Sequence, residues 1–306
     1  MKPLSEFFKR HSLIIGILLM FAITWPIDLA NAGLMPFEVP FVLYLFLGWG
    51  FGIAAVLMTG LTLGKTGVIS LLKRYLHWRV GWRWYLAAFL LSPGLIMGAV
   101  YLNAAVTGVS PDFSTVMAYK IFGASAYLPL YVLPFFIIDF IANGEEIGWR
   151  GYVLPRLQVK YNALASALIL GLIWGAWHLP KFLTHWNTIS FIWFMVHTVV
   201  ASVLYTWLYN GTKGSLLLVT LFHASSNTAG VFMPMANTVS SGNMGAYMIF
   251  VLLEAAAAIL IILTTGLQRL SRKEQMQVEE QSSGLSIQVF QSAAGLSGKP
   301  KHEGLR

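Results

Sequence analysis

The sequence predicts an all-α polytopic membrane protein, with about eight transmembrane helices around an intramembrane cavity. Three observations predict it. Of 306 residues, 57% are hydrophobic and only 10% are charged, against about 25% charged in soluble domains. The apolar residues gather into stretches of about 20, the length a helix needs to cross a roughly 30 Å hydrocarbon core. The basic residues fall in alternate connecting loops. In such a chain the net charge of +8 reports topology, so no nucleic-acid partner is expected and the lipid bilayer is the first partner. The chain has no cysteine, which removes disulfides, a thiol nucleophile and thiolate metal ligands.

The first apolar stretch, 13–33, follows "MKPLSEFFKRHS" without a small-residue cleavage site, so it reads as a retained span rather than a signal peptide. Stretches 40–63, 84–106, 124–142, 163–180, 188–209, 214–235 and 246–267 supply the other spans. Lys2, Lys9 and Arg10 precede the first span, and Lys65, Lys73, Arg74, Arg79 and Arg83 separate the second from the third. Arg150, Arg156 and Lys160 lie between the fourth and fifth, Lys213 between the sixth and seventh, and Arg269, Arg272 and Lys273 after the eighth. The opposite loops hold only Lys120 and Lys181. Positive charge stays inside, which places both termini in the cytoplasm. With no eukaryotic targeting signal, a bacterial inner (plasma) membrane is the expected location.

Between the second and third spans, "LLKRYLHWRVGWRWY" is basic and aromatic. It reads either as an interfacial helix on anionic lipid or as an aromatic belt with topogenic charge. Residues 1–273 form the transmembrane domain, with its core motifs in 125–235. The Gln-, Ser- and Gly-rich stretch 274–306 reads as a disordered cytoplasmic tail.

Ionisable residues inside apolar spans are functional candidates by default. Here they are Asp28, Asp139, Glu145, Glu146, Arg150, His178, His197, His223 and Glu254, with Asn227 as a neutral companion. Glu146 and Arg150 stand at i, i+4 with the acid first, the favoured order for an ion pair. Asp139 falls on the same helical stripe, seven residues before Glu146. Glu145 points about 100° away from Glu146 and is the carboxylate left free for proton chemistry. This requires the fourth helix to run on through "GEEIGWRGYVLPRLQ", with Gly144, Gly148 and Gly151 admitting a neighbouring backbone. If the turn to the fifth span is Pro155 to Asn162, Glu145 lies roughly 20 Å before its middle and His178 roughly 25–30 Å after it. The two then meet at similar depth. His223 and Asn227 share one face of the seventh span. Such a set suits water activation by Glu145, helped by His178, with His223 and Asn227 donating to an oxyanion.

Three short motifs carry a family resemblance. "EEIGWR" (145–150) matches E-E-x-x-x-R, "WGAWH" (174–178) matches aromatic-x-x-x-H, and "HASSN" (223–227) matches H-x-x-x-N. In this order, on three apolar helices, they resemble the CPBP family of intramembrane endopeptidases, which includes CAAX prenyl proteases and bacteriocin-processing or self-immunity proteins. Trp174 stands where Phe is commoner. The resemblance implies an eight-helix fold with a conical cavity, and a peptide or membrane-protein substrate. It implies Glu145 and His178 as water activators, Glu146 and Arg150 as supports, and His223 with Asn227 as oxyanion or ligand groups. It leaves the metal open. Glu145, His178 and His223 could fill three zinc positions, but H-E-x-x-H is absent, so no cofactor is certain and zinc is the alternative. The oligomeric state is not legible.

Each of these residues also has a purely structural reading. The glutamates with Arg150 could be a buried ion pair, His178 a helix-end histidine, and His223 with Asn227 interhelical glue. His197 and Glu254 match no motif and read as packing or cavity residues; Asp28, beside Pro26, reads as a kink or interface feature. Two other functions fit a membrane chain of this kind: a proton-coupled transporter, and a non-catalytic immunity or scaffold protein.

Overall fold

The computed structural model describes residues 2–123, 128–183, 189–235 and 245–271. The predicted tail 274–306, Arg272 and Lys273 lie outside them. Among the described residues the chain is helical throughout and contains no strand. The helices are α1 (Lys2–Arg10), α2 (Ser12–Asn31), α3 (Phe41–Leu45), α4 (Trp49–Lys73), α5 (Trp82–Thr107), α6 (Met117–Phe122) and α7 (Val132–Ala142). After a π-helical stretch, Ile147–Val153, come α8 (Leu154–Lys160), α9 (Ala163–Trp177), α10 (Leu179–Phe182), α11 (Phe191–Gly211), α12 (Leu216–Phe232) and α13 (Gly245–Thr265).

Five of these segments are long and apolar enough to cross a membrane: Ser12–Asn31, Trp49–Leu76, Trp82–Thr107, Phe191–Gly211 and Gly245–Thr265. The other three predicted spans are shorter apolar helices, Pro129–Ala142, Ala163–Trp177 and Leu216–Phe232. The short helices are the ones that carry or adjoin the three motifs. A short or broken helix at membrane depth exposes backbone groups, and it is tolerated only where protein or an aqueous cavity covers them. The polytopic class holds, but the motif-bearing helices are set apart from the long ones.

Local chemistry explains where these short helices begin. Asn162 caps α9, its Oδ1 accepting from the Ala165 N–H at 2.8 Å, and Ser215 caps α12 by accepting from the Leu218 N–H at 3.3 Å. Pro155 sits in the first turn of α8, where its missing N–H has no helical partner to lose. The chain therefore stays helical to Lys160, and Tyr161–Asn162 alone make the turn expected over 155–162. On α9, a Cβ added at Gly171 would stand 2.5 Å from the Val199 Cα, and one at Gly175 would stand 2.5 Å from Thr198 Oγ1. Small residues one turn apart let α9 lie directly on the α11 backbone.

The basic aromatic segment forms no separate interfacial helix. Helix α4 runs to Lys73, a 3-10 turn covers Arg74–Leu76, and residues 77–81 are irregular. Inward hydrogen bonds explain this. Arg74 Nη1 donates to the Gly151 carbonyl at 3.2 Å and to the Tyr209 hydroxyl at 2.6 Å, while Ser215 donates to the His77 carbonyl at 2.8 Å. The segment is stitched to the bundle. Trp78 and Trp82 stay exposed, with Arg79 and Arg83 over their rings at 5.2 and 5.7 Å.

Helix α2 is bolted to the end of α9. Trp25 Nε1 donates to the Trp177 carbonyl at 2.9 Å, and Trp177 Nε1 donates to Thr24 Oγ1 at 2.8 Å. These bonds hold the corner that carries His178.

Candidate functional site

The diacid sits at a break, not inside a continuous helix. Helix α7 ends at Ala142, Asn143 adopts φ −83° and ψ 89°, and helix resumes at Glu145. The break is forced by a close approach. A Cβ on Gly144 would lie 2.7 Å from the Trp49 Cα and 2.8 Å from the Gly48 carbonyl oxygen. The start of α4 is thus wedged against the interruption, and Trp49 Nε1 donates to the Ile141 carbonyl at 2.9 Å. Asn143 Oδ1 accepts from the Glu145 N–H at 3.1 Å and restarts the chain as a cap does. The π-helical turn follows at once; such turns recur at functional sites. Gly148 and Gly151 also face close neighbours, with Phe51 Cβ and Leu71 Cδ1 each 2.8 Å from a built Cβ. Gly144→Ala must move backbone, so it should shift Glu145 and lower kcat by about a hundredfold. Steady-state kinetics of the purified variant beside its thermal unfolding would check this, and wild-type kcat would show that the wedge is dispensable.

The break resets the helical phase, which changes one pairing. Asp139 does not share the Glu146–Arg150 stripe. Instead Asn227 Nδ2 donates to both Asp139 carboxylate oxygens, at 3.2 and 3.3 Å. Glu146 and Arg150, both fully buried, keep the expected i, i+4 bond at 3.0 Å. The same Glu146 oxygen, Oε1, also accepts from His223 Nδ1 at 2.8 Å. His223 and Asn227, expected to work as one donor pair, are therefore held by different carboxylates. Arg150 is sandwiched by aromatic rings, with Trp174 at 4.9 Å and Tyr205 at 4.0 Å. Those faces stabilise a cation whose Nε and Nη2 have no hydrogen-bond partner among the described residues.

Glu145 and His178 are only partly buried, unlike the Glu146, Arg150 and His223 cluster behind them. Trp174 joins them. Its indole N–H donates to Glu145 Oε2 at 3.3 Å, and its carbonyl accepts from His178 Nδ1 at 2.9 Å. With Nδ1 carrying its proton, neutral His178 presents Nε2 as a lone pair. Trp177 and Phe194 hold the ring edge-on at 4.6 and 4.8 Å.

Trp174 stands in the second motif only as its aromatic residue, and the structure adds a bond from its ring nitrogen to Glu145. Phe, commoner at this position, lacks the N–H that Trp174 donates to Glu145. The signal was available in the choice of the one aromatic with a donor-only ring nitrogen. Trp174→Phe should lower kcat roughly tenfold, as expected for a lost hydrogen bond to a charged group. Unchanged kinetics would show the bond idle.

Two further buried polar groups lie near. His197 Nδ1 donates to Glu254 Oε2 at 2.6 Å, joining α11 to α13. Asp28 is buried on α2, one turn beyond Thr24, and its Oδ2 has no partner among the described residues.

The three residues named for zinc do not fit it as they stand. Their hydrogen bonds do not decide this, because His223 Nδ1 on Glu146 and His178 Nδ1 on the Trp174 carbonyl leave each Nε2 available; what is missing is convergence. Among the described residues no three His, Asp or Glu side chains form a group that could hold a metal ion. No step is derived through one.

Residues 125–229 match the model of a protein family described as type II CAAX prenyl endopeptidase Rce1-like. The chain is also similar to CAAX prenyl protease 2 of Methanococcus maripaludis, 25% identical over 145 residues, which is 44% of this chain and 51% of that protein. It spans about half the length of the curated relative it matches. The family segment contains Asp139, Glu145, Glu146, Arg150, Trp174, His178, His223 and Asn227, and leaves α2, α4, α5 and α13 outside.

Proposed function

We propose, for a membrane chain whose residues 125–229 match the model of a family described as type II CAAX prenyl endopeptidase Rce1-like, the activity of an intramembrane endopeptidase. The observation that carries this reading is the division of the site into two tiers. Glu145 and His178 are reachable and share Trp174, while Glu146, Arg150 and His223 form a closed, charged support behind them.

Glu145 is the general base. It takes a proton from a water as the oxygen attacks the scissile carbonyl, and returns a proton to the departing amine. His178 Nε2 accepts a hydrogen bond from the O–H that the water keeps, which aims the oxygen lone pair at the carbonyl. The oxyanion is met by an imidazolium N–H at His223 Nε2, paired through Nδ1 with Glu146, and by an Asn227 N–H. Arg150 balances Glu146, so the support carries both signs of charge and stays fixed during reaction.

The substrate class is a membrane-anchored peptide, and a prenylated cysteine followed by three residues is its first representative. Both termini lie in the cytoplasm of an inner membrane. The test uses the full chain in proteoliposomes with a fluorescence-quenched peptide carrying farnesyl-cysteine and three following residues, beside the same peptide without the lipid. Cleavage located by mass spectrometry is expected for wild type and not for Glu145→Gln. If neither peptide is cut, and membranes with wild type or Glu145→Gln yield the same peptide fragments, the chain is not a protease. A scaffold or transporter role then takes its place.

A further inference from the structure

We infer that Asp139 is a positioning residue of the site: its carboxylate fixes which way round the Asn227 amide stands. The inference rests on the endopeptidase reading above and adds a residue that the three motifs do not contain. Asn227 lies on an exposed face of α12, and Nδ2 meets both Asp139 oxygens nearly evenly, at 3.2 and 3.3 Å.

An ionised carboxylate can only accept, whereas an amide has a donating end and an accepting end of almost the same shape. Asp139 therefore selects one of the two amide orientations. It engages the nitrogen side, and because Nδ2 carries two N–H groups on an exposed residue, one of them can serve a second acceptor. Turned over, the amide would present its carbonyl oxygen to a developing oxyanion and repel it.

The anchor is well placed for this work. Asp139 is in the last turn of α7, and its own carbonyl accepts from the Asn143 N–H at 2.9 Å. That bond is the last i→i+4 bond of α7, so Asp139 stands in regular helix directly before the break at Asn143–Gly144 that precedes Glu145.

The test is a double-mutant cycle read by kinetics and by NMR on the full chain in micelles. Asn227→Ala should lower kcat about a hundredfold, the effect of losing one oxyanion donor. Asp139→Ala should lower it less, about tenfold, with KM little changed. Asp139→Asn should fall between Asp139→Ala and wild type, since its amide can face Asn227 either way round. Asp139→Ala combined with Asn227→Ala should be no slower than Asn227→Ala alone. Losses that multiply, or an Asp139→Asn protein faster than wild type, overturn the inference.

With ¹⁵N-asparagine labelling, the side-chain resonance of Asn227, identified by its loss in Asn227→Ala, should move in Asp139→Ala. An unmoved resonance overturns the inference whether or not any peptide is cleaved. A moved resonance in a chain without turnover upholds the Asp139–Asn227 hold and removes the endopeptidase reading instead.

Discussion

Glu145→Gln is expected to lower kcat by about a thousandfold while leaving membrane insertion and thermal unfolding as in wild type. Removal of a positioned general base typically costs 10²–10⁴ in rate, and Gln matches Glu in shape while losing the basic oxygen. The structure explains why stability should be spared. Glu145 is partly buried, and the bond its side chain accepts from Trp174 Nε1, at 3.3 Å, can still be accepted by a Gln carbonyl oxygen. The check is paired: single-turnover cleavage of the farnesylated peptide and a thermal melt in the same detergent. A variant that cleaves at the wild-type rate removes Glu145 from the mechanism.

Glu146→Gln should behave in the opposite way, with its main loss in stability. Arg150 and Glu146 are both fully buried and bonded at 3.0 Å, and Glu146 also accepts from His223 at 2.8 Å. Taking the anion away leaves a buried guanidinium whose charge only aromatic faces and an amide oxygen can offset. Breaking such a pair from one side costs about 3–5 kcal/mol, or a fall of roughly 5–8 °C in Tm for a chain of this size. Replacing both partners with apolar residues, Glu146→Leu with Arg150→Met, should recover most of the stability, because the uncompensated charge is gone. Activity should stay lost, since His223 no longer has its carboxylate. A Glu146→Gln melt equal to wild type would show that the aromatic sandwich suffices for Arg150.

The two substitutions fall on neighbouring residues yet are expected to fail differently. That contrast separates catalysis from support more sharply than either variant alone. Gly144→Ala and Trp174→Phe probe the two devices that aim Glu145, one through the backbone and one through a side chain.

Much of the site was legible because its pairings are local or sit in recognisable short motifs. Glu146 with Arg150 is an i, i+4 pair, and that geometry follows from helical pitch wherever the intervening turn is helical. His178 and Glu145 could be brought to one depth by counting rise per residue along a hairpin. The Asp139 pairing was misread for the same reason that the others succeeded. Counting seven residues assumes an unbroken helix, and the chain breaks at Asn143–Gly144. The cause of that break, Gly48 and Trp49, lies almost a hundred residues away, so no local pattern announces it. Of the two readings of the basic aromatic segment, the separate interfacial helix is the one not formed, because Arg74 and His77 are held by partners on distant helices.

By itself the sequence determined the polytopic helical class, the Glu146–Arg150 spacing and the identity of the three motifs. Hydrophobic length, helical rise and residue type are properties of the chain alone. Only the tertiary structure decided which carboxylate meets which partner. Glu146 takes His223 as well as Arg150, Asp139 takes Asn227, and Trp174 joins Glu145 to His178. Those choices depend on helix phase and on the approach of one backbone to another. Both are settled when α4 wedges against Gly144, and neither is written in any single stretch of residues.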